Sequence, residues 1–181
     1  MKREIIIAGF GGQGVMSIGK TLVEAGMKED LEVTWVPSYG PEMRGGTANC
    51  SVILSEHAIG SPVISNPTEL IAMNGPSLAK FESSVVPGGI IFINGMDVHP
   101  GAVPERVRVI NVPCGEIAQR LGNPKVANMV MLGAYIGATG ALEADTLREM
   151  IGKKFTGAKA KLVPLNLQAL AEGIQCGKNC V

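Results

Sequence analysis

Short apolar runs and helix-like periodicities alternate along this chain. Residues 4–9 (EIIIAG) form an apolar run that leads into glycines, which is typical of a buried strand ending in a tight turn. Apolar residues then recur at helical spacing from Val15 to Ala25, which predicts a helix over residues 14–27. We expect this strand to be the central one of a sheet, with the helix directly behind it.

The next hydrophobic segments predict further strands. Residues 32–37 (EVTWVP) predict a second strand, which closes a right-handed crossover if it runs parallel to the first. Residues 48–54 predict a third strand, and the turn at residues 55–57 leading into residues 58–60 predicts an antiparallel hairpin. The remaining strands are predicted over residues 69–74, 90–94 and 106–112. The combination of connections predicts a mixed sheet.

Helical patterns separate and follow these strands. They predict helices over residues 78–85 with Ser77 as the cap, 115–121, from Pro124 through 138, 144–155 and 166–175. The fold class that results is α/β: a three-layer α/β/α sandwich with a mostly parallel, mixed β-sheet and a Rossmann-like start. The length of the chain predicts a single domain over residues 1–181.

Composition narrows the classes of partner. Sixteen Lys and Arg residues balance sixteen Asp and Glu residues, so charge gives no reason to expect binding to nucleic acid or an anionic membrane. The longest apolar region, residues 126–142, is interrupted by polar residues and glycines and is too short to span a membrane. The first residues do not have the pattern of a secretory signal, so we expect a cytoplasmic protein. The high glycine and apolar content favours a subunit that covers part of its surface with partners.

The glycine motif at residues 9–14 (GFGGQG) fits the dinucleotide-binding fingerprint G-x-G-x-x-G. That fingerprint also requires an acid at the end of the second strand, to bind the ribose hydroxyls. The nearby acid here, Glu32, lies at the start of that strand, which disfavours a nicotinamide cofactor. Two interpretations stay open: the loop and the following helix bind a phosphate or carboxylate, or the glycines serve close packing of helix on strand.

A second motif, residues 38–50 (SYGPEMRGGTANC), contains charged and aromatic side chains that a turn does not require. Turns use glycine, proline and asparagine, but they have no need of an arginine and a tyrosine. Arg44 offers five donors and a permanent charge for phosphate or carboxylate, and Glu42 can hold it in place. We therefore expect a functional loop at the carboxyl end of the second strand, where ligands bind in open α/β sheets.

These two motifs in order resemble the gamma subunit of 2-oxoacid:ferredoxin oxidoreductases, of the 2-oxoglutarate and 2-ketoisovalerate type, in the pyruvate-ferredoxin oxidoreductase gamma domain family. Residues 61–81 (SPVISNPTELIAMNGPSLAKF) resemble the middle of that subunit, and residues 87–94 (PGGIIFIN) resemble its next strand. Several ordered motifs over a chain of matching length make the resemblance specific.

The resemblance implies a complex that decarboxylates a 2-oxoacid on thiamine diphosphate, passes electrons through iron-sulfur clusters to ferredoxin, and transfers the acyl group to coenzyme A. Alpha and beta subunits would hold the thiamine cofactor, and a ferredoxin-like subunit would hold the clusters. This chain would bind none of these alone, would contribute no catalytic residue, and would be inactive in isolation. The resemblance favours 2-oxoglutarate as the acid, ahead of branched-chain 2-oxoacids and pyruvate, in anaerobic metabolism.

The candidate binding residues come from both loops. We predict no metal ligand, because an iron-sulfur cluster needs about four ligands and Cys176 and Cys180 provide two thiols. The loops would line the coenzyme A channel, or the second would pack on the thiamine-binding subunits with Arg44 in an inter-subunit ion pair. The candidates are Gly11, Gly12, Gln13, Gly14, Tyr39, Glu42, Arg44, Gly45, Gly46 and Asn49. Rival interpretations are a free-standing nucleotide- or coenzyme A-binding sensor and a nicotinamide- or flavin-dependent enzyme.

Overall fold

The computed structural model describes residues 1–39, 47–154 and 157–180. These residues form two compact units, Met1–Asn111 and Val112–Val181. Each unit is built from elements close in sequence: the first carries the sheet and the second is helical. The prediction of a single domain over residues 1–181 stays a prediction, because compactness alone does not decide whether the two units unfold together.

The first unit contains a six-stranded sheet. Its strands are β1 (Lys2–Phe10), β2 (Glu32–Tyr39), β3 (Thr47–Ser55), β4 (Glu69–Ala72), β5 (Ile90–Asn94) and β6 (Arg108–Val112). They lie in the order β2-β3-β1-β4-β5-β6. β1 is central, as predicted, and pairs antiparallel with β3 and parallel with β4, while β4 pairs parallel with β5. The predicted mixed sheet is therefore confirmed.

One predicted connection is wrong. Residues 58–60 form no strand, so the hairpin after β3 does not exist. The physical reason is that β3 already pairs with β1 on one side and β2 on the other, which leaves it no edge for another partner. β1 and β2 are both antiparallel to β3, so they run parallel to each other, as the predicted crossover through α1 requires, with β3 lying between them.

Helices cover both faces of the sheet. α1 (Val15–Lys28) packs where the side chain of Cys50 points, since a Cβ on Gly19 would lie 2.5 Å from its Sγ. α2 (Gly75–Phe81) packs on the other face, where its Leu78 joins a cluster with Ile6 and Ile91. Successive residues of a strand point to opposite faces. The predicted three-layer α/β/α sandwich is thus confirmed.

The other helices agree with the predictions to within a few residues. They are α3 (Cys114–Arg120), α4 (Ala127–Thr139), α5 (Ala144–Lys154) and α6 (Val163–Lys178). α2 differs from its prediction at its start: the cap is Asn74 instead of Ser77, because the Asn74 side chain accepts the backbone N–H of Ser77 at 2.9 Å. In the described part of the chain, no helix has the length and apolarity needed to cross a membrane.

In the helical unit, α4 and α6 approach through glycines. A Cβ on Gly133 or Gly137 would overlap the α6 carbonyl oxygens of Leu170 or Ile174. The glycines of α6, Gly173 and Gly177, meet the backbone of α4 in the same way. Two glycines on each helix, four residues apart, therefore bring the two backbones into direct contact.

Candidate functional site

The loop between β1 and α1 is a tight turn that glycine makes possible. Gly12 and Gly14 have φ values of 98° and 77°, a region that glycine adopts without a steric penalty. The backbone N–H of Gln13 donates to the carbonyl of Phe10 at 3.1 Å. The side-chain Oε1 of Gln13 accepts the backbone N–H of Phe10 at 2.7 Å. Gln13 thus closes the turn with both its backbone and its side chain.

The glycines of this motif serve two different purposes. At Gly9, an added Cβ would lie 2.7 Å from Cγ2 of Val15 and 2.9 Å from Cβ of Met73, so this glycine allows close packing. At Gly12, an added Cβ would meet no atom within 4 Å, and the residue is exposed. The packing interpretation therefore accounts for Gly9, while Gly12 leaves its backbone open to another molecule.

The start of α1 has the electrostatics of an anion site. Gly14 is the N-cap, no side chain caps the helix, and the first turn contains no acidic residue. The N–H groups of a first helical turn have no acceptor within the helix, and the helix dipole adds partial positive charge there. A phosphate or carboxylate is the group that fits such an end.

A row of side-chain amides fixes this loop to the neighbouring strands. We call Gln13, Asn74, Asn94 and Asn111 the amide cluster. Nδ2 of Asn74 donates to Oε1 of Gln13 at 2.7 Å, and Nε2 of Gln13 donates to the carbonyl of Met73 at 3.1 Å. Nδ2 of Asn94 donates to the same Met73 carbonyl at 3.3 Å. The ends of β1, β4 and β5 are thereby joined.

The amide cluster also organises the segments that follow the strands. Nδ2 of Asn111 donates to the carbonyls of Gly95 and Val98 at 2.6 and 2.8 Å, which ties down the chain after β5. Asn74 uses its Oδ1 to cap α2. Because these amides bond to protein groups, their role is to shape a rigid floor beside the glycine loop, and they are not reactive groups themselves.

Sequence reasoning found Gln13 but missed the three asparagines. A signal was present, because three apolar strand runs reach an asparagine at or near their carboxyl end: IAMN, IIFIN and VIN. The carboxyl ends of the parallel strands β1, β4 and β5 meet at one edge of the sheet, so polar residues there converge. By itself, an asparagine after an apolar run indicates only the end of a strand.

The second predicted loop connects β2 to β3, at the same edge of the sheet as the glycine loop. Thr47 pairs with Phe10, and Asn49 pairs with Ala8, so the start of β3 lies at the glycine-loop edge of the sheet. Asn49 is half-buried there. Tyr39 ends β2, and its side chain lies outside the described part of the chain. Glu42, Arg44, Gly45 and Gly46 also lie outside the described residues, so their roles stay predictions.

Strand order counts against a nicotinamide site. In the dinucleotide-binding unit, the acid-bearing strand lies next to the first strand. Here β3 separates β2 from β1. Glu32 pairs with Ser55, which pairs with Lys2, so the acid lies eight residues, or about 26 Å, from the Phe10 end of the strand. A carboxylate at the opposite edge of the sheet cannot bind a ribose held at the glycine loop.

Other reactive side chains in the described residues are poorly placed for chemistry at this edge. Cys50 is fully buried behind α1, and burial raises the pKa of its thiol to about 11. His57 and His99 are exposed in loops. Within the residues that the structure describes, no group of three or more His, Cys, Asp or Glu side chains is arranged to hold a metal ion.

The helical unit contains a cavity of about 290 Å³. Its lining includes the apolar side chains of Ile136 and Leu142 and the cationic residues Arg148 and Lys178. This volume is at the lower end of the range for small-molecule sites. The cavity contains none of the predicted site residues, so the β1–α1 loop remains the candidate site.

A family model described as pyruvate ferredoxin/flavodoxin oxidoreductase matches residues 4–176. The chain belongs to this family. The match spans both predicted loops and the whole amide cluster. The resemblance to gamma subunits of 2-oxoacid:ferredoxin oxidoreductases, which the sequence motifs indicate, is confirmed.

Curated members of this oxidoreductase family from Methanothermobacter thermautotrophicus differ in the acid for which they are named. Ketoisovalerate oxidoreductase subunit VorA is 43% identical over 93% of this chain and 35% of its own length. The chain therefore spans about a third of that relative. The 2-oxoglutarate synthase subunit KorC is 35% identical over 83% of this chain and 84% of its own length.

A solved oxidoreductase structure contains the fold of this chain. It is a 2-oxoglutarate:ferredoxin oxidoreductase from Magnetococcus marinus with 2-oxoglutarate, coenzyme A and succinyl-CoA bound. The TM-score is 0.90 at 26% identity, and the alignment covers 98% of this chain and 31% of that one. In that protein, a domain of this fold is one part of a larger oxidoreductase.

Proposed function

We propose that this chain is the gamma subunit of a multi-subunit 2-oxoacid:ferredoxin oxidoreductase and forms part of the coenzyme A channel. Alpha and beta subunits bind thiamine diphosphate, and a ferredoxin-like subunit carries the iron-sulfur clusters that reduce ferredoxin. The gamma chain binds neither of these cofactors and contributes structure and ligand contacts to a cytoplasmic complex. The isolated chain is inactive.

One observation carries this proposal: the β1–α1 loop presents an open backbone at Gly12 and an uncapped helix at Gly14 on a floor fixed by the amide cluster. Coenzyme A brings phosphates, which such an end of a helix attracts. The solved oxidoreductase of the same fold contains bound coenzyme A. That likeness supports coenzyme A as the ligand over a nicotinamide dinucleotide.

In this proposal, the predicted site residues have different roles. Gly11, Gly12 and Gly14 supply close backbone approach and N–H donors, and Gln13 keeps their geometry. The second loop adds Arg44 as the charged partner of a phosphate or carboxylate, with Glu42 holding the guanidinium. Tyr39, Gly45, Gly46 and Asn49 shape the channel around it. The alternative role of Arg44 is an ion pair with a thiamine-binding subunit.

The proposal also specifies which 2-oxoacid is the substrate. We propose 2-oxoglutarate, the substrate that the sequence resemblance favours and that gives its name to KorC. Ketoisovalerate is the second candidate, because the relative named for it has the higher identity, 43% against 35%. Reconstitution of the complex and measurement of kcat/KM for 2-oxoglutarate, ketoisovalerate and pyruvate will rank them.

Reconstitution with the partner subunits also tests the subunit proposal itself. The assay is anaerobic reduction of a viologen dye that depends on both a 2-oxoacid and coenzyme A. We expect no reduction by the isolated chain and no coenzyme A-dependent turnover by the partners without it. Failure to bind any thiamine-containing subunit would contradict the proposal.

The Arg44→Ala variant separates the two roles of the second loop. A raised KM for coenzyme A with an intact complex indicates ligand contact, whereas loss of assembly indicates the interface. Arg108→Ala is the matched control, because Arg108 is an exposed arginine on β6. It should change neither quantity.

Titration of the isolated chain tests the rival functions. Calorimetry with NADH and with coenzyme A shows whether the glycine loop binds either ligand without partners. Tight NADH binding would overturn the proposal in favour of a nicotinamide enzyme. Tight coenzyme A binding by a chain that joins no partner would favour a sensor.

A further inference from the structure

Two thiols lie one helical turn apart at the end of α6. The backbone N–H groups of Asn179 and Cys180 donate to the carbonyls of Gln175 and Gly177, each at 3.2 Å, so the helical turn continues past Lys178. Cys176 is half-buried and Cys180 is exposed, and neither is in a disulfide. Cys180 is near enough to Cys176 to raise the pKa of the Cys176 thiol. The family match ends at residue 176, so it does not cover Cys180.

We propose that Cys176 and Cys180 are a reversible modification site, which forms an intrachain disulfide by exchange with small-molecule disulfides. The thiolate of Cys180 attacks one sulfur of the small disulfide, whose S–S bond breaks and releases one thiolate. Cys176 then attacks Sγ of Cys180, loses its proton to solvent and releases the second thiolate. Two protein thiols are oxidised by two electrons, and one small disulfide is reduced to two thiols.

The backbone geometry allows this bond. Residues four apart on a helix have Cα atoms about 6 Å apart, within the roughly 4.4–6.8 Å that disulfides span. Cys180 lies beyond the last residue of α6, so its backbone can rotate to bring the sulfurs together once its N–H releases the Gly177 carbonyl. Cys176 stays in place because Gly173 and Gly177 on either side of it pack against α4.

Exposure and protonation assign the order of the two attacks. Partial burial and the neighbouring Cys180 raise the pKa of the Cys176 thiol, so Cys176 is protonated at neutral pH. Cys180 is the more accessible sulfur, and small disulfides reach it first. Cys176 is then held beside the mixed disulfide as the resolving thiol.

The other thiols are unsuited to the same chemistry. Cys114 is fully buried, and burial together with the nearby Cys176 raises the pKa of its thiol well above the usual range. Cys50 is buried in the sheet unit behind α1. The described residues also provide no third and fourth ligand around the pair for a metal ion. The pair is therefore a two-thiol site.

The test uses the reduced chain of residues 1–181, incubated anaerobically with glutathione disulfide and then alkylated. We expect two of the four thiols to become inaccessible to the alkylating reagent, with peptide mass mapping showing a Cys176–Cys180 bond that dithiothreitol reverses. C176S should stop at a mixed disulfide on Cys180. C180S should lose thiols at least roughly tenfold more slowly, because the remaining sulfur is half-buried.

Several outcomes would overturn the proposal. They are a stable mixed disulfide on the wild-type chain, a disulfide-linked dimer through Cys180, and no loss of thiols at all. A bond between Cys114 and Cys176 would also contradict it, because the buried thiol is predicted to stay reduced. Each of these is distinguished by the masses of the mapped peptides, without any measurement of activity.

Discussion

Gly12 combines a positive φ of 98° with open space around the position of a Cβ. Gly12→Ala therefore adds a methyl group where the proposed ligand approaches the backbone. We expect KM for coenzyme A to rise about tenfold, which corresponds to roughly 1.4 kcal/mol of binding free energy. The measurement is the coenzyme A dependence of viologen reduction by the reconstituted complex.

Gly88→Ala is the matched control for that variant. Gly88 has φ 80°, is exposed, and also has no atom within 4 Å of an added Cβ. Both substitutions impose a similar backbone cost of about 1–2 kcal/mol on the folded state. If both variants raise KM equally, the effect reflects stability, and the glycine loop has no contact with coenzyme A.

Cys50 gives a prediction about pH and stability. Burial raises the pKa of its thiol from 9.0 to about 11 in the folded state. A raised folded-state pKa contributes stability that is complete below pH 9 and is lost as the pH rises towards 11, because only the unfolded chain ionises in that window. Between pH 9 and pH 11, we expect the free energy of unfolding to fall by roughly 2 kcal/mol more in the wild type than in Cys50→Ala.

The measurement for Cys50 is the free energy of unfolding by urea at several pH values from about 8 to about 11. The other three thiols are present in both proteins, so their ionisation cancels in the difference. The prediction concerns the change in that difference with pH, so the cavity left by Cys50→Ala does not affect it. Parallel curves for the two proteins would show that Cys50 ionises equally in both states.

At the residue scale, the sequence identified the site in part. Gln13 and the glycines stood out because a known spacing pattern includes them. Asn74 and Asn94 did not, because each hydrogen-bonds to a group remote in sequence or shared with another strand. Such a contact depends on which strands become neighbours, and local patterns do not encode this.

At the scale of elements, the contact between α4 and α6 depends on glycine. An added Cβ on Gly137 would overlap the backbone of Ile174, and only separation of the helices relieves this. We expect Gly137→Ala to lower the free energy of unfolding by roughly 2–3 kcal/mol, as overpacking of a core does. Urea unfolding followed by far-UV circular dichroism measures the change.

Gly152→Ala is the control for the helix pair. Gly152 lies in α5, is exposed, and has no atom within 4 Å of an added Cβ. Alanine there gains helix propensity, so this variant should be more stable by a few tenths to about 1 kcal/mol. Opposite signs for the two substitutions would confirm that packing, and not propensity, explains Gly137. Equal signs would contradict it.

Element types were easier to predict than their neighbours. The apolar runs and periodicities of single segments located all six strands and the helices, because burial of one face acts locally. The insertion of β3 between β1 and β2 was not predicted, and it also made the proposed hairpin at residues 58–60 impossible. Strand order depends on competition for edges across the whole sheet.

At the scale of the whole molecule, the two units raise the question of cooperativity. The helical unit, Val112–Val181, comprises seventy residues, a size at which an isolated domain buries little surface and is marginally stable. We therefore expect the two units to unfold together, as the prediction of one domain requires. Trp35 is the single tryptophan and lies in the sheet unit, so its fluorescence reports that unit.

Gly137→Ala tests whether the two units unfold together, because it perturbs only a contact inside the helical unit. In a single cooperative domain, destabilising one part lowers the midpoint for every probe equally. The Trp35 fluorescence midpoint and the circular dichroism midpoint should then fall together in the variant. If the circular dichroism transition moves to lower urea while the Trp35 transition stays in place, the units unfold independently and the single-domain prediction is wrong.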